Sequence, residues 1–145
     1  MESENKVNTS SKTLSLIGWI ITVLVILFML MDAVMKVMKL EMVIDINRKL
    51  GYPESAIVPI GIVLLICTLL YAFPRTAVLG AILLTGYLGG AVATQVRVSS
   101  PETNQGFGGE PFNIIFPFII GAFVWGGLYL RNRRLSSLVP FDRGA

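Results

Sequence analysis

Asp32 and Lys36 follow the apolar run Leu14–Met31, and Thr94, Gln95 and Arg97 close the run Ala77–Val96. A carboxylate and an ammonium four residues apart share one helix face and can pair there. A hydroxyl, an amide and a guanidinium at the end of an apolar segment can hydrogen-bond a polar ligand head. The chemistry on offer is binding and charge pairing. The chain has no histidine and one cysteine, Cys67. A lone cysteine cannot form an internal disulfide. Without histidine or a cysteine pair, zinc and haem sites lose their usual ligands. No catalytic constellation and no metal site is therefore expected. Cys67 lies among Leu65, Ile66 and Leu69 and reads as a small buried hydrophobe.

A second reading of the polar residues stands beside the first. Lys36, Lys39 and Arg97 can snorkel to lipid headgroups, with Asp32 merely topping its helix. The choice turns on topology. If the first and third apolar runs leave a membrane on the same side, Asp32, Lys36, Thr94, Gln95 and Arg97 meet at one depth and form a polar cluster. Ionisable groups near a membrane interior tend to face the bundle and pair.

The elements that must position them follow from the charge pattern. Of 145 residues, 54% are hydrophobic and 14% charged, against about 25% charged in a typical soluble domain. The charges fall in clusters separated by uncharged runs. Residues 1–13 are polar and read as a disordered tail. Leu14–Met31 is long enough, at about 1.5 Å per helical residue, to cross a bilayer core of roughly 30 Å. It has no small-residue cleavage site after it, so it reads as a retained span rather than a signal peptide. Val43, Ile46 and Leu50 then recur at helical spacing, with Asp45, Arg48 and Lys49 elsewhere on the wheel. This is the pattern of a short amphipathic helix in the interface, ended by Gly51-Tyr52-Pro53. Further apolar runs cover 56–73, 77–96 and 111–130. Pro117 predicts a kink in the last, and Arg131, Arg133 and Arg134 stop it. Residues 97–110 read as a polar loop and 136–145 as a short tail. The expected fold is all-α: an up-down-up-down four-helix membrane bundle over 14–135 with one interfacial helix after the first span.

Four spans place both termini on one side. Seven basic residues fall on that side and five on the other, which favours cytoplasmic termini. Trp19, Tyr71, Phe73, Trp125 and Tyr129 would form an aromatic belt at the terminal side. The net charge of +3 is distributed beside apolar spans, so the implied surface partners are membrane lipids and not nucleic acid. The third run is rich in small residues. Gly86 and Gly90 form a G-x-x-x-G pair, with Gly89 in a neighbouring row, and such residues let helix backbones approach closely. Gly86, Gly89 and Gly90 are expected to make that run the packing centre of the bundle. The alternative is that their missing side chains leave a ligand cavity.

Three stretches resemble the DoxX-like family of small four-span membrane proteins. These are Leu50-Gly51-Tyr52-Pro53, Phe73-Pro74-Arg75-Thr76, and LGAILLTGYLGGAVAT from Leu79 to Thr94. The ending GLYLRNRRLSSLVP, from Gly127 to Pro140, is also similar to that family's close. The resemblance implies a four-helix bundle in the bacterial inner membrane. It also implies a link to redox stress, to membrane-protein assembly, or to the thiosulfate:quinone oxidoreductase from which the family takes its name. Where many members show histidine after the Ala-Thr pair, this chain has Gln95, so a proton-shuttling role is not expected there. Two functional expectations follow. One is an accessory or assembly subunit without catalysis of its own, bound to a membrane-protein partner. The other is a redox-associated protein holding quinone or another lipidic molecule within the bundle, with Gln95 offering its amide to a headgroup or quinone carbonyl.

Overall fold

The computed structural model describes residues 2–98 and 110–132, with side chains described over 12–98 and 112–132. The described residues form five helices: α1 (Glu2–Val37), α2 (Glu41–Lys49), α3 (Glu54–Ala72), α4 (Ala77–Val98) and α5 (Glu110–Arg131). The fold is all-helical, as expected. Four of the helices are long and apolar enough to cross a membrane, over Lys12–Val37, Glu54–Ala72, Ala77–Val98 and Phe112–Arg131.

The boundaries differ from the sequence reading at two places. α1 begins at Glu2, so the segment read as a disordered tail continues the first span as helix. Extending an existing helix adds a hydrogen bond per residue without a new nucleation cost. α4 runs on to Val98, through the whole Thr94–Arg97 polar segment and two residues into the expected loop. The rest of the expected loop and the expected C-terminal tail lie outside the described residues.

α1 packs against α3 and α5, and α4 packs against the same two helices. α1 and α4 therefore stand at opposite corners, and every neighbouring pair is antiparallel. Each long helix buries one narrow stripe. Val25, Met29 and Ala33 come from α1, and Leu64, Cys67 and Tyr71 from α3. Ala81, Leu84 and Leu88 come from α4, and Ile120, Val124 and Leu128 from α5. The spacing of three and four residues brings each set onto one face. The outward faces carry exposed Leu16, Leu24, Leu27, Ile62, Ile66, Ile82, Phe118 and Phe123. An apolar exterior around an apolar core suits a bilayer solvent, in which each helix satisfies its own backbone groups.

The connections on either side of α3 are closed by specific bonds. At the C-terminus of α2, Gly51 adopts φ 81°. The Gly51 N–H donates to Arg48 O at 3.0 Å and the Tyr52 N–H to Asn47 O at 2.9 Å. This paired pattern needs a left-handed residue, which glycine supplies without a Cβ penalty. Pro53 then stands at the N-cap of α3 in an extended conformation. Between α3 and α4, the Thr76 hydroxyl donates to Leu70 O at 2.8 Å, and Gly80 N–H donates to Thr76 O at 2.9 Å. Thr76 thus ties the end of α3 to the first turn of α4.

At the terminal end, Arg131 fastens three helices. Its Nη2 donates to Tyr71 O at 2.9 Å, and its guanidinium carbon lies 5.1 Å from the ring centres of both Trp19 and Tyr71. Tyr71 is fully buried, and its hydroxyl donates to Val124 O at 2.8 Å. The aromatic residues expected as a surface belt therefore do internal bracing at Tyr71, while Trp19, Phe73 and Trp125 stay exposed.

Candidate ligand-binding cavity

At the end of the bundle opposite the termini, all five helices surround a cavity of about 450 Å³. It lies where α1 and α4, at opposite corners, leave a gap that α2 crosses. The interior is apolar, with Phe28, Met29, Ile60, Leu88, Phe116 and Ile120. Phe28 and Phe116 meet edge to face with ring centres 5.5 Å apart. The polar groups that converge on the cavity are Asp32, Lys36, Asn47, Tyr52, Tyr87, Thr94 and Gln95.

Asp32 and Lys36 form an ion pair across one helical turn of α1, with the Lys36 side chain 12% exposed and that of Asp32 34% exposed. Gly61 of α3 makes this position possible. A Cβ there would lie 2.8 Å from Lys36 Cβ and 3.2 Å from Ala33 O. The close approach presses α1 against α3 and withdraws Lys36 from the surface. A second polar pair joins the α2–α3 connection to α4. Tyr52 Oη and Thr94 Oγ1 are 2.7 Å apart, and Thr94 Oγ1 donates to Gly90 O at 2.9 Å. Thr94 has one hydroxyl proton, and it is used on Gly90, so Tyr52 is the donor to Thr94. The Gly51 turn is what aims Tyr52 at α4.

Four of the five residues singled out from the sequence, Asp32, Lys36, Thr94 and Gln95, therefore line one cavity. Asp32 meets Lys36. Arg97 does not line the cavity. It is exposed, and its Nη2 lies 3.8 Å from where a Cβ on Gly51 would sit. A helical turn separates Arg97 from Thr94, and its angular offset carries it to the α2 side.

Gly86, Gly89 and Gly90 do not pack the bundle. A Cβ added at any of them would meet nothing within 4 Å. This corrects the expectation of a close-packed seam. The buried face of α4 is Ala77, Gly80, Ala81, Leu84 and Leu88. Gly86 is two residues beyond Leu84, about 200° around a helix of 3.6 residues per turn. The close approaches occur at Gly18, Gly61, Gly80 and Gly127 instead. Gly86 and Gly90 line the cavity while remaining exposed, so the cavity wall is open on that face.

Helical spacing in the sequence groups Ile46 with Val43 and Leu50 on the apolar face of α2. The buried residues there are Val43 and Asn47, and Ile46 is 49% exposed, at the cavity edge. Asn47 satisfies itself by donating Nδ2 to Val43 O at 2.8 Å. Tyr52, Tyr87 and Asn47 were missed as cavity residues. A polar residue four after Val43 and three before Leu50, on the apolar face of an amphipathic helix, was the available signal for Asn47. Tyr87, flanked by Gly86 and Gly89-Gly90, is the one aromatic in the glycine-rich stretch of α4. Cys67 is buried, as expected. Among the described residues no group of acidic, histidine or cysteine side chains could hold a metal ion.

Fold and cavity together define a small integral membrane helical bundle with a polar-rimmed internal pocket. The chain belongs to the DoxX-like family, whose sequence profile matches residues 20–127. The matched span runs from the middle of the first membrane helix to the last and includes every cavity residue. No curated protein and no solved structure matched the chain.

Proposed function

We propose that the protein is an accessory membrane protein that holds one lipid-soluble, amphipathic molecule, of quinone or lipid type, in the cavity at the non-terminal end. The observation that carries this reading is the cavity itself. Its volume of about 450 Å³ falls in the usual range for small-molecule pockets, and an apolar interior with a few convergent polar groups is their usual lining. Binding, not bond-making, is the role these side chains support. Tyr87, Lys36 and Gln95 can donate to a head group, Asp32 and Tyr52 can accept, and the aromatic pair Phe28–Phe116 can cover an apolar body. The bacterial inner membrane, with both termini in the cytoplasm, is the location that fits this reading and the distribution of basic residues. The test is extraction of the protein purified in a maltoside detergent, followed by lipid and quinone analysis. A molecule retained at one per chain through delipidating washes supports the reading, and a chain that retains none overturns it.

A second reading is favoured by a different observation. The exposed Gly86-Gly89-Gly90 surface of α4 is a face that another membrane helix could approach closely. An assembly subunit would use it to hold a membrane-protein partner. Stoichiometric co-purification of such a partner, lost on Gly89→Leu, is the outcome expected of that role.

A further inference from the structure

Resting on the reading of the cavity as a lipid-soluble ligand's site, we propose that the ligand's head is a zwitterion with a primary ammonium and a phosphate, the chemistry of a phosphoethanolamine headgroup. The rim carries one cation, Lys36, and one anion, Asp32, locked together on adjacent turns of α1. Their sum is neutral, but each sign is presented separately. A purely anionic head gains Lys36 and is opposed by Asp32. A purely cationic head meets the reverse. A head carrying both charges satisfies the two together.

The remaining bonding capacity agrees with this. The Lys36 ammonium spends one N–H on Asp32 Oδ1, which leaves further donors on Lys36 and a second carboxylate oxygen on Asp32. Tyr52 gives its proton to Thr94, so its oxygen retains acceptor capacity only. The Tyr87 side chain lines the same cavity, and its hydroxyl is a donor. Lys36 and Tyr87 are thus the donors for phosphate oxygens, while Asp32 and Tyr52 are the acceptors for N–H groups. A primary ammonium can donate to both acceptors, and a quaternary ammonium to neither. The other charged side chains nearby are engaged or turned away. Lys39 pairs with Glu54 at 3.6 Å and Arg48 with Asp45 at 3.8 Å, both at the surface, and Arg97 stands by Gly51. The acyl chains have an exit. Gly86 and Gly90 line the cavity without side chains and are exposed, so tails can leave between the polar rim and the bilayer.

The experiment is native mass spectrometry of the full chain from maltoside micelles, with phosphatidylethanolamine, phosphatidylcholine and phosphatidylglycerol of matched acyl chains added in equal amounts. Phosphatidylethanolamine is expected to be retained about tenfold over each of the others, the scale of one charge-assisted hydrogen bond. Soluble glycerophosphoethanolamine is the second arm, and failure to compete at equal concentration identifies the source as the lipid rather than the free head. Asp32→Asn keeps the shape and removes the anion, so its preference should move to phosphatidylglycerol. Tyr87→Phe should lower retention of every phospholipid without changing the order. The melting transition, read by exposure of Cys67 to a thiol dye, confirms that each variant is folded. Equal retention of the three lipids, or a wild-type preference for phosphatidylglycerol or phosphatidylcholine, overturns the proposal. Retention of a quinone in place of phospholipid overturns it too while leaving the cavity's binding role intact. Retention of no molecule of any kind removes both.

Discussion

Gly80→Ala and Gly86→Ala exchange the same atoms in the same helix six residues apart, and their effects should have opposite signs. A Cβ at Gly80 would lie 2.2 Å from Tyr71 N, 2.5 Å from Tyr71 Cα and 2.7 Å from Leu70 C. These are backbone atoms in the last turn of α3, so no rotamer change relieves the contact. Tyr71 cannot retreat freely. Its hydroxyl is bonded to Val124 O at 2.8 Å and its carbonyl to Arg131 at 2.9 Å. Overpacking costs about 1–3 kcal/mol and occasionally more, and each disturbed hydrogen bond adds about 1 kcal/mol. Alanine's better helix propensity returns about 1 kcal/mol. The net expectation for Gly80→Ala is a loss of about 2–4 kcal/mol. At Gly86 an added methyl meets nothing within 4 Å, so only the propensity gain, at most about 1 kcal/mol, remains. Cys67 is the single cysteine and is buried, so a thiol-reactive dye reports unfolding without any added label. In maltoside micelles Gly80→Ala should melt well below wild type and Gly86→Ala at or above it. Wild-type melting of Gly80→Ala would refute the α3–α4 approach, and equal harm at Gly86 would refute the open face of α4.

Further expectations concern topology, the ion pair and the terminal clamp. Reporter fusions after Lys12, within 99–109 and after Arg134 should read inside, outside and inside; opposite readings from the two termini contradict four spans. Asp32→Ala strands Lys36, whose side chain is 12% exposed, at a loss of about 1–3 kcal/mol, between the limits for exposed and fully buried pairs. Asp45→Ala, in a surface pair, should change stability by less than about 1 kcal/mol; equal melting of the two variants would contradict the burial of Lys36. Arg131→Ala removes a hydrogen bond and two aromatic contacts, at about 2 kcal/mol in sum. Arg131→Lys should recover only part, because lysine lacks the planar guanidinium. Full recovery with lysine would mean that charge alone holds the clamp.

The four spans were legible because a bilayer tolerates few charges, so helices of spanning length announce themselves as uncharged runs. The Gly51 turn was legible because few residues adopt a positive φ. Which glycines seat a neighbouring helix was not legible. α4 carries small residues on more than one face, and a G-x-x-x-G spacing says that a backbone can be approached without saying whether anything approaches it. Gly80 packs because Leu84 and Leu88 share its side of the helix, whereas Gly86 and Gly90 look away from that stripe. The Asp32–Lys36 pair could be read from spacing, and its neighbourhood with Thr94 and Gln95 from topology. Arg97 could not be excluded from that neighbourhood, since its rotation about α4 depends on how the helix is set by its buried stripe. Tyr52 and Tyr87 entered the cavity through tertiary placement. Tyr52 reaches Thr94 only because Gly51 reverses the chain, and Tyr87 faces the gap only because α1 and α4 stand at opposite corners.

The central claim is that the cavity between α1 and α4 holds a lipid-soluble molecule and is entered across the glycine face of α4. The direct measurement compares bound small molecules on wild type and Gly86→Trp by native mass spectrometry from mild detergent. A Cβ at position 86 meets nothing within 4 Å, so an indole carried there is expected to stand across the open wall while the chain folds and melts normally. Wild type is predicted to carry one adduct of lipid or quinone mass per chain, and Gly86→Trp to carry none. An adduct retained unchanged by a folded Gly86→Trp, or no adduct on wild type, would contradict the account.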